Sequence, residues 1–192
     1  MIGGVTTPQV LLLNGGSSSG KTTLARGLQE VLPGHWLRFG VDTLVDACPP
    51  SLLSGPGLAI GDDGTVDVGV EFTAVERIWM AGLARMAELG AQLLIEDNFV
   101  SGPPVQQRWR DALAGVSVGW IGVRCPAPTA LARERGRGDR AAGMAALQAD
   151  TVHEGISYDL EVDTAARTVA ENAALVRRHF FSDPPDPVVT PG

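Results

Sequence analysis

The stretch that decides the fold is Gly15-Gly16-Ser17-Ser18-Ser19-Gly20-Lys21-Thr22. It follows the short apolar run Val10–Leu13 and leads into Lys21–Leu32, where apolar residues recur at helical spacing. A Gly-x-x-x-x-Gly-Lys-Thr sequence between a strand and a helix is typical of a phosphate-binding loop. Small residues let backbone N–H groups approach a polyphosphate closely, and the helix N-terminus adds its positive dipole end. The sequence therefore predicts binding of a nucleoside triphosphate.

Within this phosphate loop (residues 15–22) we expect different residues to bind the phosphates and the metal ion. Lys21 is predicted to reach the β and γ phosphates, as a nucleotide-binding and catalytic group, and the Thr22 hydroxyl to bind Mg²⁺. The predicted nucleotide contacts are Gly15, Gly16, Ser17, Ser18, Ser19, Gly20, Lys21, Thr22 and Thr23. The alternative is a Gly/Ser-rich turn that matches by chance, which the flanking strand and helix argue against.

Composition excludes several other classes. The 192 residues include 15 basic side chains, of which Lys21 is the only lysine. A guanine-specificity Asn-Lys-x-Asp motif, the strand lysine of a protein kinase and a lysine-rich nucleic-acid or membrane patch are therefore absent. The net charge of −7 argues against non-specific nucleic-acid binding. We expect neither nucleic acid nor a membrane as a partner.

Strand-like and helix-like segments alternate along the chain, which indicates an α/β fold with three layers and a five-stranded parallel sheet. One domain is expected over residues 1–181, followed by a disordered, proline-rich tail, Ser182–Gly192. Thr164 is the expected N-cap of the last helix. The predicted strands are Val10–Leu13, Trp36–Phe39, Gln92–Ile95, Val116–Val123 and Tyr158–Val162; the predicted helices are Lys21–Leu32, Val70–Leu89, Ser101–Ala114, Pro126–Arg135, Ala141–His153 and Ala165–Phe180.

The segment Cys48–Gly69 has a different character, with three prolines and five glycines. Asp63-Gly64 between two short apolar runs predicts a small hairpin. A segment of this length without a helix is either a functional flap or a plain surface excursion. It contains neither Lys nor Arg, which favours a neutral acceptor over an acidic one.

Acidic residues follow two predicted strands, at the sheet edge where ligands bind in open parallel sheets. Asp42 follows the second strand and is a candidate base for an acceptor hydroxyl, or alternatively the N-cap of a helix over Thr43–Ala47. Glu96 and Asp97 follow the third strand, and either could serve Mg²⁺; the sequence does not choose between them.

Four arginines, Arg133, Arg135, Arg137 and Arg140, fall within eight residues. In a continuous helix the first, third and fourth would share a face, but Gly136 and Gly138 interrupt the pattern. Since phosphoryl transfer uses mobile cationic segments to neutralise charge, we predict a lid over residues 133–145, the alternative being a solvated basic turn.

Minor features give weaker expectations. Cys48 and Cys125 are far apart and outside any metal pattern, which favours reduced cysteines and a cytoplasmic protein. No N-terminal targeting signal is apparent. His153 and Glu154 could touch a substrate, but a surface turn is the expected place for them. Trp79 could line an acceptor pocket, but it is expected in the core.

With these features in view, the sequence resembles the chloramphenicol phosphotransferases over about Leu11 to Asp163. The likeness is carried by Leu13–Lys21, Phe39–Leu44, Arg137–Met144 and Val152–Gly155, together with Tyr158-Asp159. The resemblance implies a P-loop kinase-like fold that forms homo-oligomers, and transfer of phosphate from ATP to a hydroxyl of an antibiotic. It also implies Asp42 as the base, with Arg137, Arg140 and Arg133 holding phosphates.

The expected function is therefore ATP- and Mg²⁺-dependent phosphorylation of a small hydroxyl-bearing acceptor, such as chloramphenicol or a related compound. The sequence differs from the family pattern mainly in Cys48–Asp67, which leaves the acceptor open. The alternatives are a metabolic small-molecule or nucleoside kinase of the same fold, and a nucleotide-gated regulatory module without an acceptor.

Overall fold

The computed structural model describes residues 7–61, 63–137 and 143–181. Its elements are β1 (Val10–Asn14), α1 (Lys21–Val31), β2 (Trp36–Gly40), α2 (Val41–Ala47), β3 (Leu58–Ile60), β4 (Val66–Val68), α3 (Val70–Glu88), β5 (Gln92–Asp97), α4 (Pro103–Ala112), β6 (Val118–Arg124), α5 (Ala127–Arg137), α6 (Met144–Thr151), β7 (Leu160–Asp163) and α7 (Val169–Phe180). A short 3-10 helix, Pro50–Leu52, follows α2. A sheet of five parallel strands in the order β2-β5-β1-β6-β7 forms the centre, and β3 and β4 form a separate antiparallel hairpin.

The central strand β1 explains the three layers. All five of its residues are buried, as expected for a parallel strand covered on both faces. Leu11 and Leu13 face one cluster with α1 and α7, whereas Val10 and Leu12 face another with α3 and α4. The predicted α/β class and five-stranded parallel sheet are confirmed. The carboxyl ends of β1, β2 and β5 meet at one edge, because Asn14 is paired with Asp97 and Gly40 with Glu96.

The hairpin predicted inside Cys48–Gly69 is present, with Leu58 paired to Val68 and Ile60 to Val66. It is anchored by a small cluster in which Leu58 packs with Leu44 of α2 and Phe72 of α3. This segment is therefore packed against the helices that follow β2 and β4, which attaches it to the same end of the sheet.

Two predicted helix starts differ from the structure. The N-cap of α7 is Thr168, whose hydroxyl accepts from the Glu171 N–H, so the predicted N-cap Thr164 is wrong. Helix α2 begins at Val41 directly after Gly40, so Asp42 lies in its first turn and is not the cap. The first was missed because two threonines, Thr164 and Thr168, lie near the start of α7. The second was missed because the cap of α2, Gly40, has no side-chain acceptor that would mark it in the sequence.

Several predictions fall outside the described residues. Arg140 and the rest of residues 138–142 lie there, as do residues 1–6, Asp62 and the predicted tail, residues 182–192. Within the described residues, no helix is long and apolar enough to span a membrane.

Candidate active site

The phosphate loop connects β1 to α1, and its glycines are required by two different constraints. Gly20 has φ +92°, a left-handed conformation that strongly favours glycine. At Gly16 a Cβ would lie 3.0 Å from the backbone of Gln148, a closer contact than side chains usually make. Ser18 also adopts a positive φ of 57°. The loop therefore combines small residues with left-handed backbone conformations, which allow backbone N–H groups to approach a phosphate closely.

Lys21 is the first residue of α1, and its ammonium group lies over the loop. Its Nζ donates to the carbonyl oxygens of Gly15 and Gly16, at 2.5 and 2.9 Å. The only lysine of the chain is thus held at the loop, in the place where the loop motif predicts a phosphate-binding cation.

Thr22 and Glu96 form a direct contact beside the loop. The Thr22 hydroxyl donates to Glu96 Oε2 at 2.7 Å, and Arg38 Nη1 pairs with Glu96 Oε1, also at 2.7 Å. Glu96 is almost completely buried. A hydroxyl and a carboxylate are hard oxygen ligands of the kind Mg²⁺ prefers, so the donor set fits this ion. Sequence reasoning did not single out Arg38.

Asp97 points to the opposite side of the sheet, because successive strand residues alternate in direction. It is buried, and it accepts from Trp109 Nε1 at 2.6 Å and from the Asn98 N–H at 2.7 Å. Burial raises the pKa of this carboxyl. Of the two predicted metal-binding acids, only Glu96 contacts Thr22; Asp97 instead ties β5 to α4.

Asp42 and the phosphate loop line one cleft of about 600 Å³. Asp42 is exposed, near the carboxyl end of β2. The cleft runs from Asp42 past the loop to the start of α7. Besides residues 17–23, it is lined by Arg26, Asp42, Glu96, Asn98, Arg133, Thr164, Arg167 and Asn172 among others. The arrangement can therefore hold a polyphosphate with a carboxylate beside it.

Arg133 connects three parts of this site. Its Nη1 donates to the Ser19 carbonyl at 3.3 Å and to the Thr164 hydroxyl at 3.0 Å, and its Nη2 donates to the Thr164 carbonyl at 2.8 Å. It thus fastens α5 to the phosphate loop and to the segment after β7. Arg137 is the last residue of α5, one turn from Arg133, and Arg140 lies outside the described residues.

The sequence analysis did not predict a polar network that starts at Asn14, the last residue of β1. Asn14 Nδ2 donates to the Val152 carbonyl at 2.8 Å and to the Tyr158 hydroxyl at 2.5 Å. The Tyr158 hydroxyl lies 2.7 Å from His153 Nδ1. His153 is buried, so its predicted place in a surface turn is wrong. Burial, with the nearby Arg124, lowers the pKa of His153 to about 4, and burial raises the pKa of Tyr158 to about 12. Both side chains are therefore neutral at pH 7.

Comparison with known proteins assigns this chain to a family. A family profile described as "Chloramphenicol phosphotransferase-like protein" matches residues 8–181. The chain belongs to this family. A Mycobacterium tuberculosis protein named "Putative O-phosphotransferase" is 30% identical over 193 residues, which span 94% of this chain and 86% of that protein.

Two solved structures are similar to this chloramphenicol phosphotransferase-like chain in fold. The Deinococcus radiodurans tunicamycin resistance protein aligns with a TM-score of 0.65 at 22% identity, covering 94% of this chain and 100% of that one. A sugar kinase from Janibacter sp. aligns with a TM-score of 0.63 at 17% identity, covering 91% and 96%. These likenesses confirm the predicted P-loop kinase-like fold.

Family membership also establishes the coarse activity. This chloramphenicol phosphotransferase-like protein is a phosphotransferase that acts on a hydroxyl-bearing acceptor and carries a nucleotide-binding phosphate loop. The expected enzyme class is therefore confirmed, and the acceptor is a separate question.

Proposed function

We propose that the protein transfers the γ-phosphate of ATP, with Mg²⁺, to a hydroxyl of a neutral small molecule. Chloramphenicol or a related antibiotic is the first candidate acceptor, and resistance to it the biological role. The observation that carries the proposal is that Asp42 lines the same cleft as Lys21 and Thr22. A carboxylate beside the phosphate loop can orient and deprotonate an acceptor hydroxyl.

In the proposed reaction, the acceptor oxygen attacks the γ-phosphorus and the bond to the β–γ bridging oxygen breaks. ADP leaves with that electron pair, and the acceptor proton passes to the Asp42 carboxylate. Lys21 lies at the loop and stabilises charge on the phosphates. Thr22 and Glu96 would hold Mg²⁺, which supplies further charge neutralisation when bound.

The arginine roles are also part of the proposal. We assign Arg137 and Arg140 to the transferring phosphate, by resemblance to the family. Arg133 belongs to the nucleotide site, and its hydrogen bonds to Ser19 and Thr164 support a role in holding the loop in shape. The backbone of residues 17–23 is the proposed nucleotide cradle.

The flap and a recess beside α2, the helix that carries Asp42, support a neutral acceptor. The flap, Cys48–Gly69, carries no Lys or Arg. Beside α2 lies a recess of about 420 Å³ that is lined mainly by apolar side chains, among them Leu44, Leu52 and Val75. An acidic metabolite would need cationic partners there, whereas an apolar ring or chain would not.

The experiment is a screen for an ATP-dependent mass increase of one phosphoryl group over hydroxyl-bearing antibiotics, chloramphenicol included. Asp42→Asn should reduce kcat by about 10²- to 10⁴-fold while ATP affinity stays nearly unchanged. Asp46→Asn is the matched control, because Asp46 is exposed on the same helix and does not line the cleft. Equal kcat for wild type and Asp42→Asn would refute Asp42 as the base.

The screen also separates the alternatives. If no antibiotic gains mass but a sugar or nucleoside does, the protein is a metabolic kinase of the same fold. If ATP is consumed at the same rate with and without every acceptor, it is a nucleotide-gated module.

The proposal also covers the location, the oligomeric state and the partners of the protein. We propose a cytoplasmic homo-oligomer that acts without nucleic acid or membrane partners. The location is supported by the free thiols of Cys48 and Cys125, which suit a reducing compartment. The oligomer rests on resemblance to the family, and sedimentation of the purified protein tests it.

A further inference from the structure

Gln148 of α6 makes an unusual contact with the phosphate loop. Its side chain is 4% exposed, and its Oε1 accepts a hydrogen bond from the Ser17 backbone N–H at 2.8 Å. The backbone of the same residue closes the space above Gly16. Helix α6 therefore contacts two successive loop residues, Gly16 and Ser17.

Helix α6 is also fastened to the arginine-bearing helix α5. Glu134 of α5 is buried, and its two carboxylate oxygens accept from the backbone N–H groups of Gly143 and Ala145, at 2.9 and 2.8 Å. These contacts lie at the start of α6 and satisfy N–H groups that have no partner within the helix. Gln148 and Glu134 thus form a continuous path from the phosphate loop to the helix that carries Arg133 and Arg137.

The amide nitrogen of the same side chain, Gln148 Nε2, lacks the hydrogen bond that Oε1 has within the described part of the chain. This nitrogen is fully buried and has no hydrogen-bond partner among the described residues. A buried N–H₂ group without an acceptor is costly, and native proteins usually satisfy it with a ligand or an ordered water. Because Oε1 of the same carboxamide already contacts the loop, Nε2 lies beside the loop as well. Gln148 does not line the cleft itself, so its link to the nucleotide site is the hydrogen bond from the Ser17 N–H to Oε1.

We propose that Gln148 is a positioning residue that couples nucleotide binding in the phosphate loop to the docking of α6, an inference that rests on the proposed nucleotide-dependent function. Bound nucleotide orders the loop in the conformation in which Ser17 N–H meets Gln148. Docked α6 in turn presents the loop in its binding conformation. By linkage, each event favours the other by the same factor.

The first test compares two buried glutamines. Gln148→Met keeps length and volume but removes the acceptor for Ser17. Gln106→Met is the matched control, because Gln106 is 5% exposed and its Oε1 accepts from the Ser157 N–H at 3.2 Å, away from the phosphate loop. Titration with a fluorescent ATP analogue, which needs no acceptor, gives the nucleotide affinity. Thermal unfolding gives the stability.

We expect Gln148→Met to weaken nucleotide binding by about tenfold, the usual net effect of a lost hydrogen bond at the upper end of its range. Gln106→Met should stay within about twofold of wild type, although both variants lose stability. Equal nucleotide affinity for Gln148→Met and wild type would show that Gln148 is only structural, and would overturn the inference.

A second measurement needs no variant and decides the matter if Gln148→Met fails to fold. Hydrogen–deuterium exchange of the wild type should slow at Ser17 and across Met144–Thr151 when ATP is added. Unchanged exchange in α6 at saturating ATP would reject the coupling. A wild type that binds no nucleotide at all would instead reject the proposed function, and this inference with it.

Discussion

The Thr22 hydroxyl and the Glu96 carboxylate lie 2.7 Å apart, across the boundary between α1 and β5. The other oxygen of Glu96 is paired with Arg38, whose side chain remains 31% exposed. A buried carboxylate that is held by two donors keeps a fixed position, and a buried charge is tolerated when an opposite charge is paired with it. Arg38 supplies such a cation.

This relationship leads to a prediction about Mg²⁺. Glu96→Gln should raise the Mg²⁺ concentration for half-maximal activity by roughly 10- to 100-fold, as expected when a group supporting a metal site is lost. The reason is that the amide removes the negative charge next to Thr22 while keeping its shape. Mg²⁺ titration of ADP formation measures this effect.

Glu76→Gln is the matched control for that experiment. Glu76 is 6% exposed and Glu96 5%, and each is paired with an arginine, Arg108 in the case of Glu76. Loss of the Glu76 charge should lower the free energy of unfolding but leave the Mg²⁺ dependence unchanged. If both variants shift the Mg²⁺ titration equally, the Thr22–Glu96 pair is not the metal site.

Arg133→Met tests whether the arginine holds the site together. It removes donors to the carbonyl groups of Ser19 and Thr164, so we expect the free energy of unfolding to fall by about 1–3 kcal/mol. ATP affinity should fall as well, because the loop loses its direct contact with α5, the hydrogen bond from Arg133 to the Ser19 carbonyl. Denaturant titration and nucleotide titration give the two quantities.

Arg135→Met provides the comparison on the same helix, since Arg135 is exposed. A surface change of this kind should stay within about 0.5 kcal/mol of wild type. If Arg133→Met binds ATP as tightly as wild type does, Arg133 only holds α5 in place and the proposed role in nucleotide binding is wrong.

Local patterns predicted the parts of this site that are continuous in sequence. The phosphate loop has a characteristic spacing, and the hairpin around Gly64 has a turn residue at the right place. The choice between Glu96 and Asp97 was not predictable, because it depends on which face of β5 is covered by α1. That is a property of the assembled sheet and not of the strand sequence.

Contacts between residues far apart in the sequence could not be predicted either. Ser17 and Gln148 are 131 positions apart, and Asn14 and Tyr158 are 144 apart, so no spacing rule connects them. His153 illustrates the same difficulty. A polar residue after a helix is usually exposed, but here the Asn14–Tyr158 pair gives it a buried partner.

His153 leads to the last prediction, on the pH dependence of stability. Burial, with the charge of Arg124, lowers its pKa to about 4 in the folded protein, from an ordinary value of 6.5 in the unfolded chain. Between these values the unfolded chain binds a proton that the folded protein does not. The contribution of His153 to the free energy of unfolding is therefore present above pH 6.5 and is lost as the pH falls towards 4.

His153→Gln should remove this loss, because glutamine can still accept from the Tyr158 hydroxyl but does not titrate. We expect the variant to lose less stability than wild type between pH 6.5 and about 4 in denaturant titrations, whatever its stability at neutral pH. His35→Gln, at an exposed histidine, is the matched control for the same change of side chain. Parallel pH curves for wild type and His153→Gln would mean that His153 has the same pKa in the folded and unfolded states, so that its burial does not lower that pKa.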